Sequence, residues 1–311
     1  MALLIDIKNP KWLTDAALRD ELWAYTPDAD IRIASDPGDP ADIDMLTVSS
    51  YHRGEALKYP NLKVIQKTGA GVNNILDDDL LPDSVTVTRL EAHISGNEMA
   101  EYALAYVLQE QRQLRLYNQH QQKPEWVSYP PRKSAETTVA VLGLGQIGQI
   151  IARRFVDNRF KVCGWSRTQK NIDDVTSYCG AEGRTQALNE ADYVISVLPS
   201  TPQTVDLYNC ELFAQFKPGA FFINVGRGDQ VNEADLIDAL DREVFAGAIL
   251  DVFASEPLAL DNPLWWHPKV QITPHVSGYH LGDATRDIAE NFRRLQSNLA
   301  LLNVVDRSLG Y

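Results

Sequence analysis

The chain has 311 residues, 44% of them hydrophobic, and a formal net charge of −13. That length supports two medium lobes with full cores, and the acidic balance argues against nucleic acid and anionic membranes as partners, because phosphate contacts need a basic face. The three cysteines, Cys163, Cys179 and Cys210, lack C-x-x-C spacing, which argues against a disulfide framework or zinc site and for a reducing, cytoplasmic setting.

No apolar run reaches the length of a membrane span, and no signal peptide is expected from the start Met1-Ala-Leu-Leu-Ile-Asp. Apolar runs predict strands over 3–7, 31–34, 45–48, 62–66 and 85–89, with helices over 10–25 and 55–58 between them. This alternation is the βαβα rhythm of a parallel sheet. Met99, Tyr102, Ala103, Tyr106, Val107 and Leu114 place one long amphipathic helix over 97–120, and Pro130-Pro131 marks the loop that ends it. Further strands are expected over 160–165, 193–197, 220–225, 246–250 and 270–272. Helices are expected over 149–155, 209–214, 233–241 and 283–302. The fold class is therefore α/β, with two doubly wound parallel-sheet lobes. A Rossmann dinucleotide lobe over 99–276 is inserted into a flavodoxin-like substrate lobe made of 1–98 plus 277–311.

The run Val139-Ala-Val-Leu-Gly143-Leu-Gly145-Gln-Ile-Gly148 is a strand entering G-x-G-x-x-G, followed by a helical pattern. Gly143 permits the tight turn, Gly145 lets a pyrophosphate approach the backbone, and Gly148 lets the helix pack closely on the strand. The first-turn amides, at Gln146, Ile147 and Gly148, then face the phosphates at the positive end of the helix. The second strand ends in Ser166-Arg167-Thr168 with Lys170 behind it and no acid before Asp173. An NAD site usually places a carboxylate there for the ribose hydroxyl, whereas a guanidinium pairs with a 2′-phosphate. NADP(H) is expected over NAD(H), which remains the alternative.

Three segments sit at later strand ends, where ligands bind in a doubly wound sheet. They are Asn224-Val-Gly226-Arg227-Gly228-Asp229, Leu250-Asp251 onward to Glu256-Pro257, and Thr273-Pro274-His275. Together they suit reduction of a 2-oxo acid. Arg227 would hold the carboxylate and polarise the carbonyl, and His275 would protonate the developing alkoxide, with Glu256 favouring the imidazolium. Singly, each has a plainer role: a turn arginine, a loop glutamate, a packed histidine. In the other lobe, Lys67-Thr-Gly69-Ala70-Gly71-Val72 follows a strand, and its successive amides form a nest for a carboxylate. Arg89 would supplement them or serve as a structural ion pair.

At these residues the chain resembles the D-isomer-specific 2-hydroxyacid dehydrogenase family. The matching pieces are Gly143-Leu-Gly-Gln-Ile-Gly148, Leu198-Pro-Ser-Thr-Pro202, Asn224-Val-Gly-Arg-Gly228, Leu250-Asp-Val-Phe, Glu256-Pro257, Asn262-Pro-Leu-Trp265 and Thr273-Pro-His275, in family order. Trp165-Ser-Arg167 and the ending Val305-Asp-Arg-Ser-Leu-Gly-Tyr311 look like the A-type bacterial glyoxylate/hydroxypyruvate reductases within it. The resemblance implies Arg227, Glu256 and His275 as the catalytic set, and substrate binding by Ala70, Gly71 and Val72. It implies cofactor contacts from Leu198, Pro199, Thr201, Pro202, Val225 and Gly226, with Asp251 on the nicotinamide carboxamide. It also implies a homodimer formed through the cofactor lobes, a small 2-oxo acid substrate, and no metal.

This chain departs from the A-type pattern at Ser49-Ser50-Tyr51-His52, where a tryptophan is usual. The segments over 91–97 and 123–129, which holds Trp126, are also individual, and Tyr279 and His280 follow the histidine. D-lactate or phosphoglycerate specificity is the nearest alternative chemistry, and a dinucleotide-sensing corepressor-like protein is the alternative of another class. Formate enzymes generally place Gln where Glu256 stands.

Overall fold

The computed structural model describes residues 1–8, 13–69, 71–90, 92–278 and 284–307, without the side chains of 92–94 and 284. Contacts divide the chain into one lobe of Met1–Ile94 with His280–Tyr311 and a second of Ser95–Tyr279. The sequence reading places these divisions at 98/99 and 276/277. The first falls inside a helix, at a place that the helical pattern itself does not mark.

The first lobe runs β1 (Ala2–Asp6), α1 (Asp15–Tyr25), β2 (Ile31–Ile33), β3 (Ile43–Val48), β4 (Val64–Lys67), the one-turn α2 (Asn73–Leu76) and β5 (Thr86–Thr88). Its parallel sheet has the order β2-β1-β3-β4-β5, the flavodoxin-like order with its switch between β1 and β3. The helix expected over 10–25 starts at Asp15, because Thr14 caps it by accepting from the Ala17 amide at 3.1 Å; residues 10–12 lie outside the described residues. Residues 55–58 form a 3₁₀ turn rather than an α-helix.

The second lobe opens with α3 (Ala92–Gln111), followed by α4 (Leu114–Gln122). One helix over 97–120 was expected, and Gln113 breaks it with a left-handed φ of 56°. The buried stripe of Met99, Ala100, Ala103 and Val107 ends with the buried Gln111, and α4 buries no residue, so nothing holds the two in one axis.

Then follow β6 (Thr138–Leu142), α5 (Gln146–Asp157), β7 (Lys161–Trp165), β8 (Val175–Tyr178), α6 (Gly180–Glu190) and β9 (Tyr193–Ser196). The lobe continues with α7 (Cys210–Phe213), β10 (Phe221–Asn224), α8 (Glu233–Asp241), β11 (Gly247–Leu250) and β12 (Val270–Ile272). The parallel order β12-β11-β10-β9-β6-β7-β8 is the Rossmann order with one added strand. Val139, Ala140, Val141 and Leu142 are all fully buried, as a central strand covered on both faces requires. One face packs Phe213, Phe222 and Phe245; the other packs α3 and α5 through Met99, Val107, Ile151 and Phe155. The chain returns to the first lobe in α9 (Ala284–Gln296), which packs Ile288 and Phe292 against Leu18 and Leu22 of α1. It ends earlier than the expected 302, and the left-handed Asn298 (φ 54°) lies just beyond its end.

Candidate active site

The carboxyl edge of the second sheet carries the expected groups in strand order. β6 delivers Gly143 in a left-handed φ of 109°, where a Cβ would come within 3.0 Å of the Val197 carbonyl oxygen. A Cβ on Gly148 would sit 1.8 Å from the Gly143 carbonyl oxygen, so only glycine lets α5 start this close to the strand. Gly145 caps α5 without a side chain, and a Cβ there would meet no atom within 4 Å. The helix start therefore opens onto vacant space that its amides of Gln146, Ile147 and Gly148 can share with a phosphate. This cradle fits a dinucleotide pyrophosphate.

Beyond β7, Ser166 is buried. Its amide donates to the Tyr178 carbonyl at 3.1 Å and its hydroxyl to the Thr168 carbonyl at 2.8 Å. Gln169 and the Lys170 amide bond to Ser177, which ties the loop to β8. Arg167 and Thr168 are exposed and Lys170 partly so, which leaves two cations and no carboxylate over 166–170. These groups suit a 2′-phosphate.

Past β9, Leu198 is buried, Thr201 partly so, and Pro199 and Pro202 are exposed. Gln230, fully buried, donates to the Leu198 and Pro199 carbonyls at 3.0 and 2.9 Å, while Ser200 donates to Asp229. The Thr201 amide bonds Thr204 Oγ1 at 2.8 Å. Val225 is buried, and a Cβ on Gly226 would lie 2.8 Å from the Leu198 oxygen. The loops after β9 and β10 are thus laced together by Gln230, a residue that the sequence reading left out. Its position, three residues past Arg227 in a glycine-rich turn, is the only signal it offers.

Arg227, partly buried, donates from Nη1 to the Gly226 carbonyl at 2.6 Å. Burial pulls its guanidinium down from its ordinary value, against the charges of Glu256 and Asp229. The next residue brings its loop to the following one: a Cβ on Gly228 would overlap the Phe253 backbone carbon at 1.9 Å. The Phe253 amide in turn donates to Glu256 Oε1 at 3.0 Å, and Glu256 Oε2 lies 2.7 Å from His275 Nδ1. Burial alone would push the Glu256 carboxyl up, but the His275 contact, the Phe253 amide and the Arg227 charge hold it below the usual carboxylate range.

The His275 side chain is 50% exposed, and its backbone is left-handed with φ 57°. Asp251 builds that turn. It is wholly buried and accepts from Thr273 Oγ1 at 2.5 Å, the Val276 amide at 2.8 Å and the Ser277 amide at 2.9 Å, and its carbonyl accepts from the His275 amide at 2.8 Å. Tyr102 of α3 meets Thr273 Oγ1 at 2.7 Å. Because the threonine proton goes to the carboxylate, the tyrosine must donate. Asp251, expected on the nicotinamide carboxamide, thus has both oxygens engaged within the histidine turn. Tyr102 and Thr273 were not singled out for this site, since helical periodicity explains Tyr102 as core.

The remaining expected residues belong to the first lobe or lie elsewhere. Gly71 is partly exposed after β4, and Val72 is buried at the start of α2; Ala70 lies outside the described residues. Arg89, partly exposed, donates its amide to the Asn303 carbonyl at 3.2 Å. The Tyr51 hydroxyl donates to Asp78 at 2.8 Å and accepts from the Ala56 amide at 3.1 Å, so it serves its own loop. His267 and His120 pair with Asp241 and Glu125, Trp126 is fully exposed, and Tyr279 and His280 lie outside the described residues. Among the described residues no acid, histidine or cysteine cluster could hold a metal ion, and no helix is long and apolar enough to cross a membrane.

Residues 104–277 match the family model for the NAD binding domain of D-isomer specific 2-hydroxyacid dehydrogenase. The chain is 38% identical over 291 residues to glyoxylate/hydroxypyruvate reductase A of Serratia proteamaculans (strain 568), an alignment covering 92% of this chain and 93% of that one. A D-isomer specific 2-hydroxyacid dehydrogenase of Xanthobacter autotrophicus Py2, solved with NADPH and MES, superposes at a TM-score of 0.92 with 37% identity, covering 100% of this chain and 99% of that one. The NADPH-dependent glyoxylate/hydroxypyruvate reductase of Sinorhizobium meliloti, solved with NADP and sulfate, gives 0.90 and 33% over the same shares. With its Rossmann strand order, its glycine cradle and these matches, the chain belongs to the D-isomer-specific 2-hydroxyacid dehydrogenase family.

Proposed function

We propose that this chain reduces glyoxylate and hydroxypyruvate to their 2-hydroxy acids with NADPH, with Arg227, Glu256 and His275 as its catalytic residues. The reading is supported by the 2.7 Å contact between Glu256 and His275 Nδ1, one loop away from Arg227. An ionised carboxylate only accepts, so Nδ1 carries a hydrogen and Nε2 is left to hold and release the proton. Arg227 binds the substrate carboxylate and draws electron density from the 2-oxo group, and Nε2 protonates the oxygen as it becomes an alkoxide.

The glycine turn with Gln146 and Ile147 would hold the pyrophosphate of NADPH. Ser166, Arg167, Thr168 and Lys170 would hold its 2′-phosphate, and Leu198, Pro199, Thr201, Pro202, Val225 and Gly226 would line the rest. Bound there, the cofactor supplies the hydride. Asp251 reaches the nicotinamide carboxamide only with an oxygen that already serves the histidine turn. The first lobe supplies substrate contacts through Ala70, Gly71, Val72 and Arg89. The protein acts as a cytoplasmic homodimer joined through its cofactor lobes.

Steady-state rates with NADPH and NADH on a panel of 2-oxo acids test this. NADPH oxidation with glyoxylate or hydroxypyruvate is expected, and no turnover on any acid refutes the reading.

A further inference from the structure

Arg184 stands out on α6. The side chain is only partly exposed, its Nε is buried without a hydrogen-bond partner, and no carboxylate among the described residues pairs with its guanidinium. In a chain with 42 acidic residues against 29 basic ones, a half-buried cation without an anion is a costly arrangement. The face of Trp165, whose ring centre lies 5.7 Å from the guanidinium carbon, offsets part of that cost but offers no acceptor.

The position of this cation gives it a purpose. Trp165 ends β7 directly before Ser166 and Arg167, and its Nε1 donates to the Gly180 carbonyl at 2.7 Å, which fixes the start of α6 beside the loop. The Tyr208 amide donates to the Gln230 carbonyl at 2.8 Å, and Gln230 is the residue that holds Leu198 and Pro199 after β9. Burial pushes the Tyr208 phenol up, and its contact with Ser196 and the charge of Arg184 oppose that rise. Arg184 therefore lies over Trp165 at the end of β7, the strand beside β6 and its glycine turn. In this fold that is where the adenosine end of a dinucleotide rests.

We propose that Arg184 is a second guanidinium for the adenosine 2′-phosphate, lying behind Arg167 and setting the preference for NADPH together with it. The proposal rests on the NADPH reading above. The phosphate supplies the missing anion, and the acidic field of the chain makes each extra local cation valuable. Isolated ligands separate the two claims. Calorimetric titration with adenosine 2′,5′-bisphosphate and with 5′-AMP, which differ only in the 2′-phosphate, reports binding without turnover. If the wild-type protein does not prefer the bisphosphate, the NADPH reading itself fails. If it does, Arg184→Leu should weaken the bisphosphate about tenfold, equivalent to about 1.4 kcal/mol, while leaving 5′-AMP within about twofold. Arg184→Lys, which keeps the charge and tests the same point should the leucine variant not fold, should lose less. Equal losses on both ligands, or none on the bisphosphate, overturn the proposal.

Discussion

The two halves of the second lobe's carboxyl edge are built by opposite means. Around β6, β7 and β9 the groups facing a ligand are backbone amides, vacant space above Gly145 and exposed cations. Around β10, β11 and β12 they are side chains fixed by side chains: Glu256 by the Phe253 amide, and the turn of His275 by the buried Asp251. In the proposed reaction the first half receives the cofactor and the second holds a proton at one atom. Changes in the first should therefore appear in affinity, and changes in the second in turnover.

The largest expected effect is that of His275→Ala, which removes the proposed proton donor. Turnover should fall by about 10² to 10⁴-fold, while NADPH binding followed by fluorescence stays near wild type; a matching loss of binding would break the division between halves. Glu256→Gln should follow, with roughly a tenfold to hundredfold loss for one charge-assisted hydrogen bond. Its pH profile carries the sign. Because the Glu256 carboxyl is held below its usual value, the ionised contact is present above the ordinary carboxylate range and is lost only as pH falls through the lowered value. An amide does not ionise, so the acid-side loss that follows this carboxyl in the wild type should be absent from the variant. The same acid-side loss in both proteins would show that it does not report the Glu256–His275 contact.

In the receiving half, Arg167→Asp should raise the KM for NADPH by roughly tenfold or more, for the lost charged contact and the added repulsion. NADH use should change little, and equal losses would show that Arg167 does not read the 2′-phosphate. The smallest effect belongs to Tyr102→Phe. It removes the outermost donor of the Tyr102–Thr273–Asp251 chain, so denaturant unfolding should show a loss of about 0.5–1.5 kcal/mol. A drop in kcat with unchanged KM would show that the chain positions His275 as well as stabilising its turn.

Much of this was legible from local pattern. The runs Val139 to Leu142 and Ala220 to Ile223 are apolar without alternation, as buried parallel strands are, and each strand end announced its loop. β8 and α6 were not legible. Val175-Thr-Ser-Tyr178 is a short, half-polar edge strand, and two of the first four residues of α6 are glycines, Gly180 and Gly183. Missing α6 also hid Arg184. The split between α3 and α4 depends on one left-handed backbone angle at Gln113 that no propensity marks. Residue types singled out Arg227, Glu256 and His275 as candidates, but the groups around them could not be read in the same way. Gln230, Thr273 and Tyr102 act across 31, 22 and 171 residues of sequence, and periodicity carries no information at that range.

The left-handed backbone of His275 has a consequence for evolution in the laboratory. Side chains rarely adopt that conformation, and holding one there costs on the order of 1–3 kcal/mol, whichever side chain it is. Glycine escapes the cost. His275→Gly should therefore melt at a higher temperature than His275→Ala although both lack the proposed proton donor. A selection for heat resistance alone, with no demand for turnover, should drift toward glycine at this position and give up the reaction for robustness.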